Sequence, residues 1–220
     1  MPKVVDLSLP FRPTWRYPFE SRQVKSFADG DIVQVTEYTL RSHWYTHIDS
    51  PRHFVPDGQT LDDFSLDLLC GEALFLDLRH MGNKQPITAE ILEQASRGTE
   101  HHDILILRTE LGKRISWETT DFWDESPYVT EGGAKWIYEY QPKVVGFDFP
   151  QDHDIRLFRF KPESECEHPC HRNILEKGIL MIEYLTNLWE VPGNTCTVAG
   201  LPLKLEQADG APIRVVAFVS

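Results

Sequence analysis

Five short apolar runs constrain this chain most: Ala73 to Leu78, Ile104 to Leu107, Val144 to Phe147, Ile179 to Ile182 and Ile213 to Val219. Each is short enough for a buried strand, and together they read as a sheet with both faces covered. Helical stretches fall between them. Pro86 and a Thr88 N-cap announce a helix through Ala89 to Leu92, a second is expected over Glu131 to Tyr140, and a third over His171 to Lys177, ended by Gly178. Strand and helix alternate, so the expected class is α/β.

Two more strands are expected at Val4 to Leu9 and Ile32 to Leu40, where β-branched and alternating patterns appear. The loop between them is rich in Pro and aromatic residues (Phe11, Pro13, Trp15, Tyr17, Pro18, Phe19) and can line a pocket. With 220 residues, 41% of them hydrophobic, and no repeat or flexible linker, the chain is expected to form one domain over 1–220.

The net charge of −12, with Lys and Arg scattered, argues against a nucleic-acid partner. No run approaches the roughly 20 apolar residues of a membrane span, and the opening MPKVVDLSLPFRP lacks a signal-peptide core, so a cytoplasmic protein is expected. Cys70, Cys166, Cys170 and Cys196 are too few and too irregular for a disulfide framework and are taken as thiols. Cys166 and Cys170, which flank His168, lack the second ligand pair of a zinc knuckle. No Gly-rich phosphate loop is present. Glu163, Glu165 and Glu167 are expected to lie on a solvated loop inserted before His171.

Chemistry concentrates in Ser42 to Phe54, where His43, His47, Asp49 and His53 fall within eleven residues. A helical turn or tight bend brings the imidazoles of His43 and His47 to one side. If the chain extends after His47, Asp49 leaves the same face two residues later. Imidazole and carboxylate together suit a borderline divalent ion, and three protein ligands leave coordination positions open for water. Pro51 breaks any helix, so His53 is expected past a turn, near the ligands, in the position of a proton carrier. Glu183 ends an otherwise apolar strand, where a buried carboxylate needs a partner, and His171 stands at a helix start.

The string His43-x-x-Thr46-His47-x-Asp49-x-Pro51-x-His53-Phe54 resembles the HxGTHxDxPxH signature of the cyclase superfamily, which includes bacterial kynurenine formamidase and isatin hydrolase. The segments Val144 to Asp148 and His171 to Leu188 extend the resemblance over most of the chain, with Gln151 near where a serine is common. It implies a mixed sheet with flanking helices, of the swivelling β/β/α kind, in a homodimer or homotetramer. It also implies a metal set of His43, His47, Asp49, His171 and Glu183, holding one or two Zn²⁺ or a Mn²⁺, with Asp49 shared between two ions and His53 as the catalytic proton carrier.

The reaction so implied is hydrolysis of a small-molecule amide, N-formylkynurenine in tryptophan catabolism, by an arylformamidase. A cyclic amide, imide or ester is the alternative substrate, and a metal-binding module without turnover the other alternative. The family's N-terminal loop offers an aromatic residue to the substrate ring, which makes Trp15 and Tyr17 pocket candidates beside Tyr45. Tyr45 itself replaces the signature's glycine, which would allow an unusual backbone angle or a close approach, so a different local loop or pocket is expected there.

Overall fold

In the computed structural model, which describes residues 2–219, the apolar runs become the spine of one sheet. Its strands are β1 (Lys3–Asp6), β4 (His47–Asp49), β5 (Cys70–Asp77), β7 (Ile104–Arg108), β9 (Val144–Phe147), β10 (Leu180–Glu183), β11 (Thr195–Pro202) and β12 (Gly210–Val219). A separate hairpin joins β2 (Glu20–Lys25) to β3 (Val35–Thr39), and β6 (Pro86–Ile87) pairs with β8 (Tyr128–Val129). The helices are α1 (Ala89–Ala95), α2 (Leu111–Arg114), α3 (Thr120–Asp124), α4 (Glu131–Tyr140) and α5 (Pro169–Leu175).

The order is β1-β12-β11-β5-β7-β9-β10-β4, and β4 pairs onward with β12. The last seven strands therefore close into a ring, with β1 attached alongside β12. The β5-β7-β9-β10 stretch is parallel and the remaining pairings are antiparallel, so the sheet is mixed. Ring closure removes the open edge that an eight-stranded sheet would otherwise present beside β4.

Alternation along the strands produces two apolar layers. Phe75, Ile104, Ile106, Val144, Ile182, Val198 and Val215 pack with Ile48 in a cluster that contains no α-helical residue, and it fills the interior of the ring. Leu74, Leu76, Leu105, Leu107, Val145, Phe147 and Met181 face the other way, onto Leu92, Ala134, Ile137 and Ile174 of α1, α4 and α5. The long apolar stretches in sequence follow from this arrangement, since both faces of the parallel strands are covered.

Thr88 caps α1 and Thr130 caps α4 through their side-chain oxygens, as helix starts of this kind require. Three expectations shift: the strand expected over Val4 to Leu9 ends at Asp6, the one expected over Ile32 to Leu40 runs only from Val35 to Thr39, and His171 lies inside α5, which begins at Pro169. No helix is long and apolar enough to cross a membrane among the described residues.

Candidate metal centre

The three-residue strand β4 sets the geometry. Across its antiparallel ladder with β10, His47 stands opposite Glu183 and Asp49 opposite Met181. His47, Asp49 and Glu183 therefore leave the same face of the sheet, the one covered by α5, while Ile48 points into the ring. All three polar side chains are buried, as is His171 on α5. Nε2 of His47 lies 3.2 Å from Asp49 Oδ1 and 3.3 Å from Glu183 Oε2. Nε2 of His171 lies 3.0 Å from Glu183 Oε1 and 3.6 Å from Asp49 Oδ2.

His43 comes from the tight bend before β4 rather than from a helical turn. Its Nδ1 is 2.7 Å from Asp49 Oδ1, and its Nε2 is 2.8 Å from Asp209 Oδ2. The imidazole fits because position 210 is glycine: a Cβ there would lie 2.6 Å from His43 Cε1 and 2.7 Å from the Ile48 carbonyl. His53 ends a short 3₁₀ turn, Pro51–His53, and its ring stacks on His43 at a centroid distance of 3.6 Å. Asp49 thus offers one oxygen toward His43 and His47 and the other toward His171.

Neighbouring groups hold these side chains in place. Nδ1 of His47 hydrogen-bonds the Tyr45 carbonyl at 2.8 Å, which aims Nε2 at the carboxylates. Thr46 Oγ1 accepts from the Leu9 amide and donates to the Tyr184 carbonyl, tying the motif to the chain on either side. Gln151 donates to Glu183 Oε1. Asp152 accepts from the backbone amides of Cys170 and His171 and pairs with Nδ1 of His171, capping α5 and orienting its imidazole together.

Electrostatics are dominated by the two buried carboxylates. Despite burial, which opposes the charged form, Asp49 and Glu183 push His47 up to about 10 and, with Asp152, raise His171 well above its usual range. The carboxyls of Asp49 and Glu183 are depressed in return by the imidazoles beside them, against the effect of their burial. His53, away from direct carboxylate contact, is pulled by burial down to about 4. The cluster is therefore built to accommodate positive charge.

A divalent ion fits that demand. Nε2 of His47 and Oδ2 of Asp49 are buried without a hydrogen-bond partner, which is costly unless another ligand takes them up. His47, Asp49 and Glu183 bring ligand atoms together, as do His43, Asp49 and His53. The donors are imidazole and carboxylate, a set that suits a divalent metal ion. Among the described residues no such group contains a cysteine, and all four cysteines are free thiols.

A cavity of about 740 Å³ opens onto the cluster, walled by Trp15, Tyr17, Trp44, Phe54, Phe158 and Tyr184. Glu163 also borders it, so the inserted acidic segment contributes to the wall as well as to the surface. Tyr45 is placed elsewhere. Its backbone takes a left-handed conformation, φ 57°, as the signature's glycine would, and its ring is fully buried among Phe11, Tyr17, Phe19 and Trp117. The expectation that this ring lines the pocket is corrected: Tyr45 is absent from the cavity wall and its side chain joins the core.

Asp152 and Asp209 are absent from the residues expected on sequence grounds. Both act on histidines distant in the chain, and only Asp152, just before an acidic and His-rich segment, carries any local signal.

Residues 5–152 match the putative cyclase family, and the chain belongs to that family. It is 28% identical over 205 residues to a kynurenine formamidase of Geobacillus thermodenitrificans, covering 92% of this chain and 89% of that one. A solved structure described as a potential metal-dependent hydrolase with cyclase activity superposes with a TM-score of 0.73 at 25% identity, covering 99% of this chain and 98% of the other. Isatin hydrolase A from Labrenzia aggregata, solved with benzyl benzoate, shares the fold at a TM-score of 0.76 and 20% identity, covering 99% and 93%.

Proposed function

We propose that this chain is a metal-dependent amidohydrolase that cleaves N-formylkynurenine to kynurenine and formate. The observation that carries the reading is the convergence of His43, His47, Asp49, His171 and Glu183, with His47 Nε2 and Asp49 Oδ2 left unpartnered in a buried, carboxylate-rich cluster. These five residues would hold one or two divalent ions, zinc or manganese. Such an ion supplies Lewis acidity that polarises a carbonyl and lowers the pKa of water toward neutrality.

The chain's own side chains do the rest. Asp49 faces His43 and His47 with one oxygen and His171 with the other, and would help to hold whichever ions bind. Gln151 and Asp152 fix Glu183 and His171, so little reorganisation is required when substrate arrives. His53, stacked on His43 at the cavity floor, takes a proton from the attacking water and returns it to the departing nitrogen. Trp15 and Tyr17 pack the aryl ring of the substrate.

The fold shared with an isatin hydrolase favours, as a second reading, a cyclic amide, imide or ester in the same cavity. Assembly as a homodimer or homotetramer in the cytoplasm, with one domain spanning the chain, accompanies either reading.

The test combines elemental analysis with turnover of N-formylkynurenine before and after chelation and metal add-back. Bound zinc or manganese with chelator-sensitive turnover is expected, and His53→Ala should lower kcat about 10²- to 10⁴-fold while leaving the metal in place. Metal without formamidase turnover would move the assignment to cyclic substrates. A protein without metal under replete conditions would end both readings.

A further inference from the structure

The cavity wall holds a cation without a counter-charge. Arg12 and Arg159 are paired with Glu118 and Asp124, but among the described residues Arg16 has no carboxylate partner. Arg16 lines the cavity, its guanidinium carbon 3.9 Å from the centre of the Trp123 ring and 5.5 Å from that of Phe158. Its Nε is buried and makes no hydrogen bond. Among the described residues Arg41 also lines the cavity without a carboxylate partner, but it is exposed, whereas Arg16 is half-buried in a chain of net charge −12 where acidic partners are abundant.

A second unpartnered polar group stands on the same wall. His168 is only 6% exposed, neither of its ring nitrogens has a partner, and it packs 5.7 Å from the same Phe158 ring. The Nε of Arg16 and both ring nitrogens of His168, beside one aromatic ring and without hydrogen-bond partners, describe a place where a ligand completes the hydrogen bonding.

We infer that Arg16 is a specificity-determining residue that binds a carboxylate carried by the substrate, with His168, whose ring packs 5.7 Å from that of His171, as an adjoining polar contact between this wall and the metal ligands. The inference rests on the hydrolase reading above and deepens it: the preferred substrate is an aromatic amide bearing an anionic side group. The planar guanidinium, already stacked on Trp123, can offer two parallel N–H donors to a carboxylate without losing that stacking.

The test measures binding rather than turnover. Kynurenine and 2-aminoacetophenone share an aryl ketone, and only the first carries the amino-acid carboxylate. Titration calorimetry on the metal-loaded protein is expected to show kynurenine binding at least tenfold more tightly. Arg16→Gln should weaken kynurenine about ten- to hundredfold and leave 2-aminoacetophenone within about twofold, as expected for loss of a charge-assisted contact.

Arg16→Lys keeps the charge and loses the fork, so it should retain part of the preference, and it carries the comparison if Arg16→Gln does not fold. No preference in the wild type, or equal weakening of both ligands in the variants, would overturn the inference. Kynurenine preference without N-formylkynurenine turnover would sink the formamidase reading alone, and turnover without preference would sink the carboxylate subsite alone.

Discussion

The carbonyl of Tyr45 and Nδ1 of His47 meet at 2.8 Å, and they do so because Tyr45 adopts a left-handed backbone. One strained residue thereby directs an imidazole at two buried carboxylates. The strain, roughly 1–2 kcal/mol for a non-glycine residue, is offset by burying a large aromatic side chain whose hydroxyl donates to the Arg12 carbonyl.

Tyr45→Gly should therefore destabilise the protein although glycine suits the backbone angle better. Truncating a buried aromatic side chain costs roughly 3–5 kcal/mol, which exceeds the strain relieved. Urea denaturation is expected to show a net loss of about 1–4 kcal/mol. A variant as stable as the parent would contradict this role for the buried ring.

Gly210→Ala tests the packing behind His43. The added methyl would press on both the His43 ring and the Ile48 carbonyl, and one of these contacts is backbone that cannot rotate away. Overpacking of this kind costs roughly 1–3 kcal/mol. Metal affinity and kcat/KM should also fall, by about tenfold or more, as expected when a residue supporting a ligand is displaced. Unchanged affinity by competitive chelator titration would mean that His43 is not needed in this pose.

At His168, stability and function should part company. The imidazole is buried with both nitrogens unpartnered, so His168→Phe removes an unsatisfied polar group of similar shape. Its Tm is expected to stay level or rise, while kynurenine affinity falls. A Tm lowered by several degrees would show that the protein itself satisfies this ring.

Asp148 supplies a pH dependence through a carboxyl whose own hydrogen bonds lie outside the metal cluster. Burial pushes its carboxyl from 3.8 up to about 6, against hydrogen bonds from the Thr109 amide and hydroxyl and the Glu110 amide. With the folded-state pKa raised, the folded protein holds its proton longer than the unfolded chain. The contribution is fully present below pH 3.8 and is lost as pH rises through about 6. A carboxyl displaced this far makes about 3 kcal/mol of stability depend on pH. The stability of Asp148→Asn relative to the parent should therefore improve by up to that amount between pH 4 and 7, measured by urea denaturation at each pH. A difference that does not change with pH would refute the assignment.

Much of this structure was legible because its strongest signals are local. Val144 to Phe147 became a strand within its expected bounds, and Thr88 announced α1, since continuous apolar character and capping are properties of neighbouring residues. The hairpin strand β2, ESRQVK, was not anticipated: all six of its residues are exposed, so no apolar alternation marks it. Strand β11 escaped for a related reason, its sequence TCTVAGLP mixing polar and small residues with a proline at its end. In the site, the short histidine motif could be read directly. Asp209 could not, because its role depends on β12 pairing with a strand about 160 residues earlier, and nothing beside it in sequence signals that register.

That pairing also determines how the centre can fail. Strand β4 has three residues and joins β10 to β12, so it is the clasp of the whole ring. His47 and Asp49 cannot be freed by loosening a peripheral loop, because releasing them together unhooks the barrel. Amide protons of His47 to Asp49 should accordingly exchange only through global opening, and whatever ligand the cluster holds acts as a lock on the fold itself.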